Sequence, residues 1–256
     1  MNITGARPQG AKDEADAAIA VREMFDAIAP RYDLLNHLLS ANVDRLWWRR
    51  TARQFQSTLA APNAAVLDIC CGTGDMTMAL LKHRPKCARP ILAADFARGM
   101  LRRADEKFSA RKANAVTIEA DALHLPLESE SLDLIVTAFG FRNLANYEAG
   151  LREFARVLRP GGQLGILEFA ELGGLMGKLY AVYFRRVLPA IGRAIIGPVS
   201  AGNSAPYNYL PASVASFPPP AEMLGMMGAA GYEECGWQPY TFGIAGLYTA
   251  RRAAVA

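Results

Sequence analysis

The stretch Val66-Leu67-Asp68-Ile69-Cys70-Cys71-Gly72-Thr73-Gly74-Asp75 constrains the fold of this chain more than any other. A short apolar run starting at Ala64 ends near an acid, a bend with two glycines follows, and a helical pattern runs from Met76 to about Lys82. Strands apolar on both faces belong to parallel sheets covered by helices, because neither face meets water. The unit recurs. Ile91 to Ala94 ends at Asp95 and leads into a helical stretch through Met100, Leu101 and Ala104, and Ala115 to Glu119 ends near Asp121. Leu132 to Phe139, Gln163 to Phe169, and two runs around Tyr232 to Trp237 and Ile244 to Thr249 supply further strands, with Arg159-Pro160-Gly161-Gly162 as a helix-to-strand punctuator. This alternation predicts an α/β fold, doubly wound around a mostly parallel sheet.

A length of 256 residues suits one domain. Within it, 1–60 form a helical N-terminal cap, 61–170 a cofactor-binding core, 171–225 a lid or insert and 226–256 the C-terminal strands. Ala20 to Leu59 has helical spacing at Leu34, Leu35, Leu38 and Leu39, with a break at Pro30. With 52% hydrophobic residues the chain is not disordered, and a net charge of +4 is too mild to imply a nucleic-acid partner unless it is clustered. Cys70, Cys71, Cys87 and Cys235 form no C-x-x-C pair, and His37, His83 and His124 are too few to complete a zinc site, so no metal is expected. Unpaired thiols fit a reducing compartment. Lys12, Asp13, Glu14, Asp16 and Arg22 interrupt any signal-peptide core, and the uncharged run Ala194 to Ala221 contains six prolines, which excludes a spanning helix. A cytoplasmic protein is expected, touching the cytoplasmic membrane at most peripherally.

Ligands of open α/β sheets bind beyond the carboxyl ends of the strands. Asp68, Asp95 and Asp121 stand at such ends, and Gly72 and Gly74 allow close approach after the first. A dinucleotide fingerprint would require glycine at position 77, which is Thr77, and Asp75 sets an anion where a pyrophosphate would lie. Both features count against a nicotinamide oxidoreductase. They favour a phosphate-free nucleoside with a positive centre, Asp95 meeting the ribose hydroxyls and Asp121 with Ala122 the adenine amine. S-adenosylmethionine answers that description. Any one of these aspartates alone is more simply a helix cap or a turn; three at successive strand ends are not.

The first stretch resembles motif I of class I S-adenosylmethionine-dependent methyltransferases. Four others are similar, more narrowly, to the quinone-biosynthesis C-methyltransferases: Phe25 to Asn36, Ala138 to Asn143, Leu167-Glu168-Phe169 and Tyr207 to Val214. The resemblance spans roughly residues 21 to 247. It implies a seven-stranded sheet closed by an antiparallel C-terminal hairpin, and S-adenosylmethionine as cofactor. The reaction implied is C-methylation of a prenylated benzoquinol or naphthoquinol, demethylmenaquinol foremost. Family cofactor contacts carry over to Thr73, Asp95, Asp121 and Ala122, beside Asp68, Gly72 and Gly74 of the same crest. Tyr32, Asp33 and Tyr207 carry over as pocket walls, and Tyr209 as a wall or a packing residue. A homodimer is also admitted. Cys70 and Cys71 depart from the small residues or glycine common in the family, Ala138 replaces a serine, and Gly243 to Tyr248 lacks the histidine of many members.

A reduced quinone attacks through the ring carbon beside an ionised hydroxyl, so the protein must stabilise an oxyanion. Arg142 and Asn143, just after the fourth strand, are the catalytic candidates, and His124 is a weaker candidate for a base. In the insert, Lys178, Arg185, Arg186 and Arg193 share one side of a helical projection opposite Tyr183, Phe184 and Leu188, which fits anionic lipid as well as packing on the sheet. Methylation of another small phenolic or lipid acceptor, or a non-catalytic role in the quinone pathway, stand as alternatives.

Overall fold

The apolar runs of the sequence pair as seven strands in the order β3-β2-β1-β4-β5-β7-β6. The computed structural model describes residues 5–8, 10–29, 43–170 and 206–254. In chain order, α1 (Glu14–Ile28), α2 (Asp44–Gln54) and α3 (Gln56–Ala60) precede β1 (Val66–Ile69). Then come α4 (Asp75–Leu81), β2 (Ile91–Asp95), α5 (Arg98–Ala110), β3 (Ala115–Glu119), β4 (Leu132–Ala138), α6 (Tyr147–Val157) and β5 (Leu158–Phe169). Finally α7 (Pro206–Ala215) and α8 (Pro220–Ala229) lead to β6 (Tyr232–Tyr240) and β7 (Ala245–Arg252). The first five strands are parallel; β7 runs antiparallel to both β5 and β6. The predicted class of fold and its C-terminal hairpin are therefore the observed ones.

Alternation along the strands divides the core between the two faces of the sheet. Leu67, Ile135, Ile166 and Tyr248 face a cluster with Phe141, Phe154, Met223 and Met227, which α6 and α8 cover. Val66, Leu134, Leu167 and Leu247 face the opposite way, against Trp47, Trp48, Phe55 and Leu80 of α2 to α4. Two-sided burial is why these strands lack a polar face.

The expected helical stretch over 20–59 is divided differently. The helix α1 begins earlier, at Glu14, because Asp13 Oδ1 caps it by accepting from the Asp16 N–H at 2.8 Å. Leu34, Leu35, Leu38 and Leu39 lie outside the described residues, as does the basic stretch with Lys178, Arg185, Arg186 and Arg193. The Arg159 to Gly162 punctuator is not a separate turn but an irregularity inside β5, whose pairing with β4 passes from Leu158 to Gln163. Among the described residues no helix is long and apolar enough to cross a membrane.

Candidate active site

The strand order reverses between β1 and β4, so their connections leave toward opposite faces and open a crevice at their carboxyl ends. Both exits are left-handed: Cys70 has φ 56° and Phe139 φ 59°. Such conformations cost about 1–3 kcal/mol each for residues with a side chain and persist only where packing enforces them. The enforcement is visible, since a Cβ on Gly140 would sit 2.3 Å from the Cys70 Cβ. Only glycine lets the two exits touch. They open onto a cleft lined by Cys70, Gly72, Asp95, Ala138, Phe139 and Gly140 among others.

The second strand delivers Asp95 to this cleft. Its Oδ2 accepts from the Gly72 N–H at 2.8 Å and its Oδ1 from the Ala97 N–H at 2.9 Å, so one side chain ties the glycine bend to the start of α5. Burial pushes the carboxyl up to about 6 although these amides favour its ionised form. The carboxylate, which the Phe96 amide also approaches, keeps lone-pair capacity for a ligand hydroxyl. Gly72, Asp121 and Ala122 also line the cleft, as expected. Asp121 is half exposed, and its Oδ1 accepts from the Leu123 N–H at 2.9 Å.

Other predicted residues of this crest are not among those lining the cleft. Asp68 is fully buried; the Thr77 hydroxyl donates to its Oδ2 at 2.5 Å, and burial raises its carboxyl to about 7. Thr77 thus holds the end of β1 from the position where a dinucleotide fingerprint has glycine. Thr73 Oγ1 accepts from Lys107 Nζ at 3.1 Å. Gly74, at φ 85°, starts α4 where a Cβ would meet the Phe108 ring at 2.5 Å.

Asp75 does not face the cleft, contrary to the expectation from its place after the glycine bend. Its Oδ1 is 2.8 Å from Lys107 Nζ, and it lines a separate groove between α2, α4 and α5. It is neutralised and repels nothing in the cleft. The selection against phosphate comes from the cleft itself: Asp95 and Asp121 line it, and none of its described lining residues is lysine, arginine or histidine.

Across the crevice, Arg142 is 5% exposed and Glu168 fully buried. Arg142 Nη1 donates to Glu168 Oε2 at 3.0 Å, and the Arg142 N–H to Oε1 at 3.0 Å. The same guanidinium bonds the Phe139 carbonyl and lies over the Phe169 ring, 5.4 Å from its centroid. A charge this deep needs such a partner, because leaving it alone costs several kcal/mol. Arg142 does not itself line the cleft; the adjacent Asn143 does. Tyr209 of α7 donates its hydroxyl to Asn143 Oδ1 at 3.1 Å, so the insert reaches the site through this bond. Burial raises the Tyr209 phenol to about 12, leaving it a neutral donor. His124 is 84% exposed at its side chain and does not line the cleft. Tyr32 and Asp33 lie outside the described residues, as does the Tyr207 side chain, although Tyr207 belongs to α7.

Several lining residues went unsuspected in the sequence. Ala18 and Phe25 of α1 form one wall, held there because Asp26 Oδ1 accepts from the Gly99 N–H of α5 at 2.7 Å. Phe96, Met100, Leu123 and Leu144 supply apolar surface, and Ala138 presents no hydroxyl. Phe25 opens one of the stretches singled out above; the others look like ordinary core residues.

Comparison with known proteins places this geometry. The model of the ubiE/COQ5 methyltransferase family matches residues 9–252. A demethylmenaquinone methyltransferase of Deinococcus radiodurans is 44% identical over 237 residues, covering 92% of this chain and 94% of that protein. The ubiquinone/menaquinone biosynthesis C-methyltransferase UbiE of Syntrophotalea carbinolica is 40% identical over 91% of this chain and 94% of its own. Among solved structures, a SAM-dependent methyltransferase from Thermotoga maritima superposes with a TM-score of 0.60 at 17% identity, over 91% of this chain and 99% of that one. That last likeness shows the shared fold.

Proposed function

This chain belongs to the ubiE/COQ5 methyltransferase family, and from that premise we propose that it transfers the methyl group of S-adenosylmethionine to a ring carbon of a prenylated quinol, demethylmenaquinol foremost. The observation that carries the cofactor half is the cleft at the strand-order reversal, lined by Asp95 and Asp121 and by no described basic side chain. That donor set fits a phosphate-free nucleoside bearing a cation. When bound, S-adenosylmethionine supplies a methyl group already made electrophilic by positive sulfur.

The remaining work falls to the chain. Asp95 accepts the ribose hydroxyls, Asp121 and Ala122 meet the adenine edge, and Phe96 and Met100 keep water from it. Gly72 lets the backbone come close. Asp68, Thr73 and Gly74 support the bend through their bonds to Thr77 and Lys107 and the packing on Phe108. On the acceptor side Asn143 is the direct donor: Oδ1 accepts from Tyr209 and one Nδ2 hydrogen goes to the Phe139 carbonyl at 3.4 Å, so the second Nδ2 hydrogen is the one offered to the quinol oxyanion. Arg142 acts as a positioning residue, because its charge is spent on Glu168. Tyr32, Asp33 and Tyr207 complete the acceptor pocket. The acceptor's isoprenoid chain calls for a peripheral contact with a membrane, and holding ring and methyl donor in line contributes several kcal/mol to the rate.

The test is a transfer assay with the purified chain, methyl-labelled S-adenosylmethionine and prenylated naphthoquinol or benzoquinol in separate arms. Mass spectrometry of the product should place the label on a ring carbon in at least one arm. Label on oxygen, or on neither quinol while another phenol accepts it, overturns the reading. Arg142→Lys should lower kcat about tenfold or more, since lysine lacks the planar guanidinium that lies over Phe169 while reaching Glu168 and Phe139, with S-adenosylhomocysteine affinity unchanged.

A further inference from the structure

Six basic side chains of this protein share one ridge. Arg45, Arg49, Arg50 and Arg53 of α2 are exposed, and so are Lys82 and Arg111 beside them. None of the six takes part in an ion pair among the described residues. They outnumber the net charge of the whole chain, +4, so the remainder is slightly acidic. Two grooves flank the ridge, one shared with α4 and α5, the other reaching Gln238 of β6. Leu46 and Arg49 line both grooves and so form the crest between them. Leu46 is 59% exposed there, an apolar side chain set among arginines.

We propose that this face of α2 docks on anionic lipid headgroups, the arginines and Lys82 and Arg111 taking phosphates in the flanking grooves while Leu46 enters the acyl boundary. A basic helix face with an apolar crest has the chemistry of an interfacial anchor. A single-stranded nucleic acid would want exposed rings for stacking, and the two tryptophans of this helix are buried. Position supports lipid as well. The inner face of α2 carries Trp47, whose ring lies 5.7 Å from that of Phe139 on the cleft wall. Its Nε1 is anchored on Thr241 Oγ1 at 2.8 Å. The docked surface would therefore lie about one helix diameter, roughly 10 Å, from the cleft, within reach of an acceptor leaving the bilayer. The preference for lipid over other polyanions rests on the reading of the acceptor as prenylated.

Flotation of the full chain with phosphatidylcholine vesicles, with and without phosphatidylglycerol, tests this. The wild type should float only with the anionic lipid and detach at high salt. Arg45→Gln/Arg49→Gln/Arg53→Gln should weaken partitioning on the order of a hundredfold, at roughly fivefold per charge, and Leu46→Gln severalfold. Both variants should methylate a detergent-solubilised short-chain quinol at the wild-type rate, which certifies their fold. Absence of wild-type binding, equal binding by the triple variant, or equally tight wild-type binding to a single-stranded oligonucleotide each overturns the docking proposal. If the wild type floats as expected but methylates neither acceptor, the proposed reaction fails and the docking surface stands.

Discussion

The two banks of the crevice are built on different principles. On the β1–β2 bank, a single carboxylate gathers backbone amides 2 and 23 positions away in the chain, Ala97 and Gly72. Burial raises Asp95 toward 6 and Asp68 toward 7, so this bank holds charges that the fold disfavours. On the β4–β5 bank, Arg142 meets Glu168 across 26 positions and Asn143 meets Tyr209 across 66. There the groups satisfy each other. One bank keeps acceptor capacity for a ligand at a cost in stability, and the other uses its polar groups to lock a turn.

If that contrast holds, removing a carboxylate charge should have unequal consequences on the two banks. The largest effect is expected at Glu168→Leu, which takes the carboxylate away from the buried Arg142 guanidinium and should cost about 3–5 kcal/mol in denaturant unfolding. Adding Arg142→Met to it should restore most of that loss, since a buried pair is replaceable by apolar volume. An unchanged unfolding midpoint in the single variant would erase the distinction between the banks.

Asp95→Asn should weaken S-adenosylhomocysteine about a hundredfold by calorimetry, the loss expected for hydrogen bonds to a charged acceptor. Asn offers one acceptor oxygen to the two amides that Asp95 serves, so the variant loses one of those bonds, and what the removed charge changes is the pH dependence of its stability. The sign follows from the raised carboxyl: between the ordinary value of 3.8 and about 6 the folded state binds more protons than the unfolded one, so ionised Asp95 destabilises increasingly as pH rises through that window. The stability of the variant relative to wild type should therefore rise from pH 4 to 6 and then level off.

Affinity sharpens the picture further. A ligand whose hydroxyls donate to Asp95 prefers the ionised carboxylate, so wild-type binding should weaken up to tenfold per pH unit below about 6. The Asp95→Asn variant should be flat there. The smallest effect belongs to Tyr209→Phe, which removes one neutral hydrogen bond of about 1 kcal/mol and should reduce kcat roughly fivefold with cofactor affinity intact. A wild-type kcat in that variant would show that Asn143 is oriented by something other than α7.

Much of the β1–β2 bank was legible beforehand, because its instructions are local. A strand, a glycine bend and an acid at the next strand end act over a few residues, and Gly72, Asp95, Asp121 and Ala122 line the cleft as expected. The opposite bank was only half legible. Arg142 and Asn143 stood out, but Glu168 was noticed only as part of a resembling stretch. Its signal was there: a carboxylate within the apolar run Gly165 to Phe169 must find a cation if the strand is buried. Phe25 and Met100 carried no comparable mark, since an apolar residue facing a cleft and one facing a core obey the same periodicity.

Sequence by itself determined the chain order of strands and helices, the glycine bend after β1 and the acids at the crest, because turn chemistry and two-sided burial operate through near neighbours. Tertiary structure decided which way each charge faces. It turned Asp75 toward Lys107 and away from the cleft, gave Arg142 to Glu168, and gathered the arginines of α2 with Lys82 and Arg111. Those outcomes depend on which strands become neighbours and which helices pack side by side, and an ion pair takes whatever partner that packing brings within reach.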